Sequence, residues 1–327
     1  MRESAAMRQG VSNDRRLWLS TIVPSHNGER WLAAALQSVV AQGDPGIEVI
    51  VVDSSDADDS AAIAERFSGR LDITVYRRPD LLSWMAKTNF GVATAKADWI
   101  CMLHQDDLWL PNRCLEIDKW LATQAGGVMH LHAAHIIDEA GTRLGTWRCP
   151  LPGGEQPVPA HLILERLLVQ EFIAIPTPTI RRDAYLQVGG LDERLWQTAD
   201  WDLYLKLLLT GAVYYHPQPL ACFRIHGNSL TMSVTRGRDY RNQLETVLDR
   251  HIDKLTQGRE ETSRLARVSI DMNVALAAAS NGKPAQIVKT LVGLLALGPR
   301  GVLRYLRYSR IFERAYPRLR ARLAGRL

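Results

Sequence analysis

Residues 17–53 read LWLSTIVPSHNGERWLAAALQSVVAQGDPGIEVIVVD, and they contain a strand, a turn, a helix and a second strand. Both strands are short apolar runs of the kind that is buried on both faces of a parallel sheet. Between them, apolar residues recur every three or four positions from Trp31 to Val40, which predicts an amphipathic helix that ends before Gly43. This unit predicts the beginning of a doubly wound α/β fold.

The same alternation continues beyond Asp53. Residues 73–76 predict a third strand, residues 82–95 a helix and residues 99–103 a fourth strand. Sheets of this type bind ligands at the carboxyl ends of their strands, where the loops meet. In this chain those ends carry His26, Asp53 and the run His104-Gln-Asp106-Asp107.

The second half of the sequence follows a different pattern. Residues 130–145, with the turn Asp138-Glu-Ala-Gly141, predict a β-hairpin. From about residue 238 the chain is predicted to be helical, with breaks at Gly282-Lys-Pro284 and Gly298-Pro299. We therefore expect a flexible tail at residues 1–16, a sheet domain at 17–237 and a helical appendage with a basic tail at 238–327.

Composition indicates a globular protein with a full hydrophobic core, since 46% of the 327 residues are hydrophobic and 23% are charged. The four cysteines form no CxxC pair, which argues against a zinc site or a disulfide framework and fits a reducing cytosol. The first sixteen residues lack the apolar segment of a signal peptide, and the longest apolar run, at 287–297, is too short to cross a bilayer. We expect a cytoplasmic protein.

The positive charge is concentrated at the carboxyl terminus. The formal net charge is +5, but residues 298–327 hold nine arginines and one acidic residue, Glu313, so the rest of the chain carries −3. An acidic body argues against a nucleic-acid partner. Arginines alternate with apolar residues over 302–323, so residues 299–327 are predicted to bind peripherally to an anionic membrane surface. The alternative is a solvated basic helix that packs on its own domain.

The clearest chemical signal is a buried strand that ends on two carboxylates, in the run Trp99-Ile-Cys-Met-Leu-His-Gln-Asp106-Asp107-Leu-Trp-Leu-Pro111. Magnesium and manganese ions bind one or two carboxylates together with substrate phosphates. Asp106 and Asp107 can supply those carboxylates. The alternative interpretation is that one of the two caps the helix that follows.

Seven short motifs in sequence order resemble those of family 2 glycosyltransferases. They span about residues 17–235: Thr21-Ile-Val-Pro-Ser-His-Asn27, Val51-Val-Asp53-Ser-Ser-Asp56, Ala86-Lys-Thr-Asn89-Phe-Gly91, His104-Gln-Asp106-Asp107, Gly189-Gly-Leu-Asp-Glu193, Ala199-Asp200-Trp-Asp202-Leu-Tyr-Leu-Lys206 and Phe223-Arg-Ile-His226. The resemblance implies a GT-A type mixed sheet flanked by helices, with a nucleotide-binding half at 17–125 and an acceptor half at 126–237. It also implies a nucleotide diphosphate sugar donor and a divalent metal, Mn²⁺ or Mg²⁺.

The motifs also imply a set of site residues. We expect Pro24, His26, Asp53, Asn89 and Asp106 at the nucleotide, Asp106 and His226 at the metal, Asp200 as the catalytic base, and support from His104, Asp107, Trp201 and Arg224. His26 can stack on a base, and Asp53 can accept a hydrogen bond from a uracil-type imino group, although it could instead stabilise a turn. We expect Asp53, Asp106 and Asp200 at the rim of one cleft.

The acceptor hydroxyl loses a proton as it attacks, and a nearby carboxylate can accept that proton. Asp200 is our candidate, with a helix cap as its alternative role and Asp202 as its rival. A single base favours direct displacement with inversion at the anomeric carbon. The acceptor is expected to be a glycan or a lipid-linked sugar, in the synthesis of cell-surface polysaccharide or glycolipid.

Two positions depart from the family pattern. His104 replaces the first aspartate of the metal motif, and Ala199 replaces the glutamate that often precedes the catalytic aspartate. The competing hypothesis is therefore a non-catalytic homologue that binds a nucleotide sugar or a glycan. A phosphatase of the haloacid dehalogenase type would need a carboxylate where Ser55 stands.

Overall fold

The computed structural model describes residues 16–56, 59–227, 237–280 and 285–323. Its first part alternates strands and helices: β1 (Leu19–Ser25), α1 (Leu32–Val40), β2 (Ile47–Asp53), α2 (Ser60–Glu65), β3 (Asp72–Arg77), α3 (Trp84–Thr94) and β4 (Trp99–Met102). The four strands are parallel and lie in the order β3-β2-β1-β4. The predicted doubly wound arrangement is confirmed.

Helices cover both faces of this parallel sheet, which explains why its strands are continuous apolar runs. Every residue of β1 and β2 is buried. On one face, α1 packs Leu32, Leu36 and Val39 into a cluster with the strands. On the other, α3 comes so close that a Cβ on Gly91 would lie 2.6 Å from Cγ2 of Ile22. Only glycine allows this approach between helix and strand.

The second part completes a mixed sheet. Its elements are β5 (Leu108–Trp109), α4 (Arg113–Thr123), β6 (Gly127–Ile137), β7 (Arg143–Trp147), α5 (Ala160–Val169), β8 (Thr179–Arg181), α6 (Arg182–Gln187), α7 (Ala199–Leu207) and β9 (Ala212–Arg224). The sheet order is β3-β2-β1-β4-β8-β6-β9-β5, and β7 pairs with β6 as an antiparallel hairpin. The predicted hairpin is therefore confirmed.

Strand direction determines where the loops of the two parts meet. β8 is antiparallel to both β4 and β6, and β9 is parallel to β6, so β9 runs in the same direction as β4. The carboxyl ends of β1, β4 and β9 consequently lie at the same edge of the sheet. Residues that follow these strands are far apart in sequence but close in space.

Within the described residues, five α-helices follow the sheet: α8 (Gly237–His251), α9 (Arg259–Ser280), α10 (Ala285–Leu295), α11 (Gly298–Ser309) and α12 (Ile311–Leu323). Apolar residues of α8 and α9 belong to the same hydrophobic cluster as residues of α5 and α7, so these helices pack against the sheet domain. The predicted break at Gly298 is confirmed by its positive φ of 70° at the start of α11. The break predicted at 282–284, and the tail at 1–15, lie outside the described residues. The boundary between the sheet domain and the helical appendage, after residue 237, stays a prediction.

The last three helices expose many apolar side chains. Eight large hydrophobic residues of α10, α11 and α12 are well exposed: Val288, Leu291, Val292, Leu295, Leu303, Phe312, Tyr316 and Leu319. In the described part of the chain, no individual helix has the length and apolar character needed to cross a membrane. Residues 286–295 and 298–309 meet that criterion only as a pair, which is bent by 118°.

Candidate active site

A cavity of about 440 Å³ lies at the sheet edge where the carboxyl ends of β1, β4 and β9 meet. It is lined by eight of the predicted site residues: Pro24, His26, His104, Asp106, Asp107, Asp200, Arg224 and His226. Three other predicted residues, Asp53, Asn89 and Trp201, are not among its described lining residues. The cavity thus brings Asp106 and Asp200 together, but not Asp53, the third carboxylate that we expect there.

Asp106 and His226 form the central pair of the cavity, although they are 120 residues apart in sequence. Nε2 of His226 lies 2.8 Å from Oδ2 of Asp106. Burial opposes ionisation of Asp106, but its contacts with His226 and His104 hold its pKa below the ordinary value. The ring of His226 packs on Trp31, with 4.4 Å between centroids. Trp31 precedes α1 near the turn that follows β1, and it was not predicted as a site residue from the sequence.

Asp107 connects the loop after β4 to the end of β9 and does not cap a helix. Its Oδ1 accepts a hydrogen bond of 2.9 Å from the backbone N–H of Arg224. The following helix, α4, has Asn112 at its N-cap and no side-chain capping bond. The alternative interpretation, in which Asp106 or Asp107 caps that helix, is therefore wrong. Burial and the adjacent Asp106 carboxylate raise the pKa of Asp107 well above its usual range.

The Arg224 side chain fixes two backbone segments beside the cavity. Nε donates to the carbonyl oxygen of Asp106 at 2.7 Å, and Nη1 donates to the carbonyls of Asp138 and Glu139 at 2.8 and 3.0 Å. The guanidinium also lies 5.7 Å from the ring centroid of Trp31. Arg224 therefore holds the loop that contains Asp106 against the turn of the β6–β7 hairpin.

Two histidine nitrogens in the cavity region are buried and have no hydrogen-bond partner among the described residues. They are Nε2 of His104 and Nδ1 of His226. The ring of His104 packs against Trp84, with 5.3 Å between centroids, and burial lowers the pKa of His104. Buried polar atoms normally have partners. These two nitrogens are thus exceptions to that rule, and both belong to residues that line the cavity.

The rim of the cavity is held by Gln105. Its side chain accepts the N–H of His26 at 2.9 Å and donates to the His26 carbonyl at 3.0 Å. A Cβ on Gly28 would lie 2.4 Å from Oε1 of Gln105, so a larger residue at this position would displace the Gln105 side chain. The imidazole of His26 remains exposed, with Nδ1 3.1 Å from the carbonyl oxygen of Ser54.

Asp53 lies behind this rim, at the end of β2. Its buried carboxylate accepts a hydrogen bond of 2.7 Å from the hydroxyl of Ser55, and that hydroxyl accepts the N–H of Asn27 at 2.7 Å. Asp53 therefore connects the loops after β1 and β2. This contact matches the alternative interpretation of Asp53 as a turn-stabilising residue, and its assignment to the nucleotide base stays a prediction.

The motif on α3 directs two polar residues to opposite sides of the helix. Asn89 accepts hydrogen bonds from the Tyr185 hydroxyl at 2.6 Å and from the N–H of Leu191 at 3.0 Å, so it holds the loop before α7. Lys87 instead lines the cavity, where Nζ donates to the Ser25 carbonyl and the Ser54 hydroxyl, both at 2.8 Å. Burial lowers the pKa of Lys87 to about 8. We did not identify Lys87 from the sequence, although the motif contains it.

Asp200 lies in the first turn of α7 and is half-buried. Its Oδ1 accepts the N–H of Trp201 at 2.9 Å, while Thr198 occupies the N-cap position. Burial raises the pKa of Asp200 to about 6. Burial and the charge of Asp200 raise the pKa of a second carboxyl group, that of Glu171. No sequence motif identified Glu171.

The two residues that follow Asp200 point into the protein. The indole of Trp201 is buried and donates to the carbonyl of Leu167 at 2.8 Å. Asp202 is buried in an ionic network, 2.9 Å from Nε2 of His251 and 3.1 Å from Nζ of Lys206. This network joins α7 to α8. Asp202 is not a described lining residue of the cavity, so Asp200 is the carboxylate of this helix that can reach a substrate.

The donor atoms of the cavity determine whether a metal ion fits. In the described ranges, no group of three or more His, Cys, Asp or Glu side chains is arranged to hold an ion. Asp106 and His226 nevertheless provide one carboxylate and one imidazole at 2.8 Å from each other. Magnesium and manganese are commonly bound by one or two protein groups when substrate phosphates complete the coordination. The pair fits an ion of that kind.

Comparison with known proteins identifies the family. The model of glycosyl transferase family 2 matches residues 20–189, which cover the elements from β1, apart from its first residue Leu19, to α6. The chain belongs to glycosyl transferase family 2. This glycosyltransferase is 26% identical over 247 residues to an uncharacterized glycosyltransferase of Haemophilus influenzae, covering 74% of this chain and 79% of the relative. It is 25% identical over 230 residues to one from Rickettsia typhi, covering 69% and 68%.

Solved structures show that the enzyme has a GT-A type fold. Residues 1–349 of S. aureus TarS, in complex with UDP-GlcNAc, align with a TM-score of 0.62 and 15% identity, covering 92% of this chain and 88% of that one. The mannosyltransferase PcManGT of Pyrobaculum calidifontis, in complex with GDP-Man and Mn²⁺, aligns with a TM-score of 0.53 and 16% identity, at the same coverage. The predicted family and fold are confirmed.

Proposed function

We propose that this glycosyltransferase moves a sugar from a nucleoside diphosphate to an acceptor hydroxyl, depends on Mn²⁺ or Mg²⁺, and inverts the anomeric carbon. The observation that carries the proposal is one cavity lined by Asp106, His226 and Asp200. Two enzymes of the same fold, solved with UDP-GlcNAc and with GDP-Man and Mn²⁺, support a nucleotide-sugar donor and a metal.

Asp106 and His226 would hold the metal ion. When bound, the ion supplies positive charge that stabilises the diphosphate as it leaves. Lys87 adds a second positive charge to the cavity, held in place by its bonds to Ser25 and Ser54. Arg224 keeps the Asp106 loop in position through the backbone. These groups stabilise the negative charge that develops on the diphosphate in the transition state. Binding energy used at that point accelerates the reaction.

Asp200 would accept the proton of the attacking hydroxyl. A carboxyl group whose pKa burial raises to about 6 is ionised at neutral pH and still basic enough to take a proton. Asp202 is a poorer candidate because it is not a described lining residue of the cavity and its carboxylate already contacts His251 and Lys206. One base and one departing diphosphate correspond to direct displacement, and this is the reason for proposing inversion.

The exposed ring of His26 at the rim would stack on the nucleotide base beside Pro24. Asp53 already accepts the Ser55 hydroxyl at Oδ1, and it is not among the described lining residues of the cavity. His26 is therefore the stronger candidate of the two. For Asn89 we propose a role in holding the loop before α7, because its amide bonds to that loop.

The exposed apolar residues of α10, α11 and α12 suggest where the acceptor comes from. Lys289, Arg300, Arg307 and Arg320 are exposed on the same helices. Apolar and basic side chains together favour an anionic membrane surface. We propose that the enzyme binds peripherally to such a membrane and glycosylates a lipid-linked or glycan acceptor in cell-surface polysaccharide or glycolipid synthesis.

A donor screen tests the transfer reaction. Purified enzyme is incubated with individual nucleotide sugars and an acceptor extract, with Mn²⁺ or with a chelator, and release of the nucleoside diphosphate is measured. We expect one donor to be consumed, and only with the metal. Asp106→Ala should abolish the metal-dependent release.

The matched control is Asp72→Ala, which removes an exposed carboxylate from the opposite end of β3 and should leave release unchanged. Metal-independent turnover, or full activity of Asp106→Ala, would contradict the proposed metal site. Donor binding without any release would instead favour the non-catalytic homologue.

A further inference from the structure

A second cavity, of about 250 Å³, lies between the loop at residues 150–152, α5 and the junction of α11 with α12. It shares no lining residue with the active-site cavity. Three of its seven lining residues are arginines, Arg166, Arg307 and Arg310, and the others are proline and leucine. None of the lining residues is acidic. We call this cavity the arginine pocket.

Arg166 is buried in the wall of the arginine pocket, with a relative exposure of 9%. Nη1 donates to the carbonyl of Pro150, and the guanidinium lies 5.1 Å from the ring centroid of Tyr308. Its Nε is buried and has no hydrogen-bond partner among the described residues. No carboxylate in the described ranges pairs with it. A buried guanidinium without a counter-charge is costly unless a ligand supplies one.

Arg310 occupies the junction between α11 and α12 with a left-handed φ of 47°. Nη1 forms an ion pair with Glu313 at 2.5 Å, but Nε is buried and unpartnered within the described chain. Arg307, one turn earlier on α11, is exposed and makes no hydrogen bond or ion pair with any described residue. Among the described residues, the three guanidiniums of the pocket thus form one ion pair, that of Arg310 with Glu313.

We propose that the arginine pocket binds a phosphate monoester group. Guanidinium groups bind phosphate oxygens through paired, charge-assisted hydrogen bonds, which matches the free donors of all three arginines. The pocket is smaller than the roughly 300 Å³ at which sites for drug-sized ligands begin, so a single phosphate group is a better fit than a nucleotide. The bound anion would also offset the repulsion between the arginines.

Two sources can supply this phosphate, a small soluble phosphate ester or a phospholipid headgroup. Leu303 precedes Arg307 by one helical turn and Phe312 follows Arg310 closely, and these apolar side chains are 69% and 71% exposed. An apolar surface beside a phosphate site is the arrangement that a lipid headgroup requires. The site does not depend on the proposed transfer reaction, since its residues are separate from the active-site cavity.

Binding is measured on the full-length enzyme by calorimetry with inorganic phosphate, and by sedimentation with vesicles of phosphatidylcholine, with and without phosphatidic acid. The test variant is Arg307→Gln, which changes an exposed side chain. The matched control is Arg300→Gln, an exposed arginine of the same helix that does not line the pocket. With inorganic phosphate we expect Arg307→Gln to weaken binding about tenfold, the effect of losing one charge-assisted hydrogen bond, and Arg300→Gln to have little effect. With vesicles, Arg300→Gln should weaken binding less than Arg307→Gln does, because it removes surface charge and no contact in the pocket.

The two arms separate the sources. A tenfold loss for Arg307→Gln with inorganic phosphate but not with vesicles identifies a soluble ester, and a loss with phosphatidic acid vesicles identifies a headgroup. Equal losses for Arg300→Gln and Arg307→Gln would overturn the proposal, because they would show a diffuse basic surface. Absence of binding in both arms would overturn it as well. Neither result bears on donor turnover, which the donor screen measures.

Discussion

The active-site cavity and the junction of α7 with α8 both bury ionisable side chains, but they balance the charges differently. At the junction, Asp202 is paired with His251 and Lys206, and these contacts lower its pKa despite its burial. In the cavity, burial raises the pKa of Asp200, which forms no ion pair with any residue in the described ranges. Charges satisfied within the protein stabilise the fold, whereas those left unsatisfied beside a cavity remain available to a ligand.

The largest expected effect is that of Asp200→Asn on turnover. The amide keeps the shape of the side chain but cannot accept a proton, so we expect transfer to fall about 10³-fold. Nucleotide release is measured with the preferred donor, and nucleotide binding is measured by calorimetry as a control. Binding should be unchanged. Full activity of the variant would show that Asp200 is not the base. The proposed functional difference between Asp200 and Asp202 would then be wrong.

Asp202→Asn should have the opposite profile. Loss of this charge leaves the buried His251 and the half-buried Lys206 without their carboxylate, so we expect the free energy of unfolding to fall by about 3 kcal/mol. Urea unfolding measures the change, and Asp253→Asn, which removes an exposed ion pair, is the matched control with little effect. A large loss of turnover in Asp202→Asn without a loss of stability would contradict the structural role assigned to Asp202.

The pH dependence of turnover separates the two carboxylates again. Asp200 must be ionised to accept a proton, so with a pKa of about 6 the rate should be constant above that pH and fall about tenfold per unit below it. Asp202 has a lowered pKa and stays ionised over this range. Its contribution to stability is present above about pH 4, the ordinary value, and is lost only below it. A rate that is constant down to pH 5 would contradict the assignment of Asp200.

A smaller effect is a loss of stability at acid pH that comes from buried histidines on β6 and β9. It has to be distinguished from the loss of turnover at low pH. Burial and the neighbouring His216 lower the pKa of His130 to about 3. Burial also lowers the pKa of His216 to about 4. The ring of His216 stacks on Trp120, with 3.6 Å between the ring centroids. Both histidines are neutral in the folded protein, while in the unfolded chain they bind protons below about pH 6.5. Stability is therefore complete above that pH and decreases by about 1 kcal/mol for each histidine at pH 5.5.

The variant His216→Phe tests this effect. It should flatten the decrease in unfolding free energy between pH 6.5 and 5.5, as measured by urea unfolding at each pH. His161→Phe, at an exposed position on α5, is the control and should retain the original slope. An unchanged slope in His216→Phe would show that other groups cause the acid sensitivity.

Strand ends were the part of the site that the sequence revealed best. Asp106 and His26 follow buried apolar strands, and such ends meet at one edge whatever the details of packing. Lys87 was missed because a helix turns 100° per residue, so a motif does not show whether Lys87 or Asn89 faces the cavity. That depends on how α3 packs on the sheet. The unpartnered nitrogens and Glu171 were also missed, since they are defined by neighbours distant in sequence.

The hydrogen bonds of Arg224 to the Asp106 loop have a consequence for the protein as the ribosome makes it. His226 and Arg224 follow Asp106 by about 120 residues, which roughly 6 to 24 seconds of translation would separate. Until β9 has emerged and paired with β6, the first half of the nascent chain contains Asp106 but lacks His226, so the pair that lines the cavity is incomplete. Nucleotide sugars in the cell would therefore encounter a competent pocket only once most of the polypeptide has been synthesised.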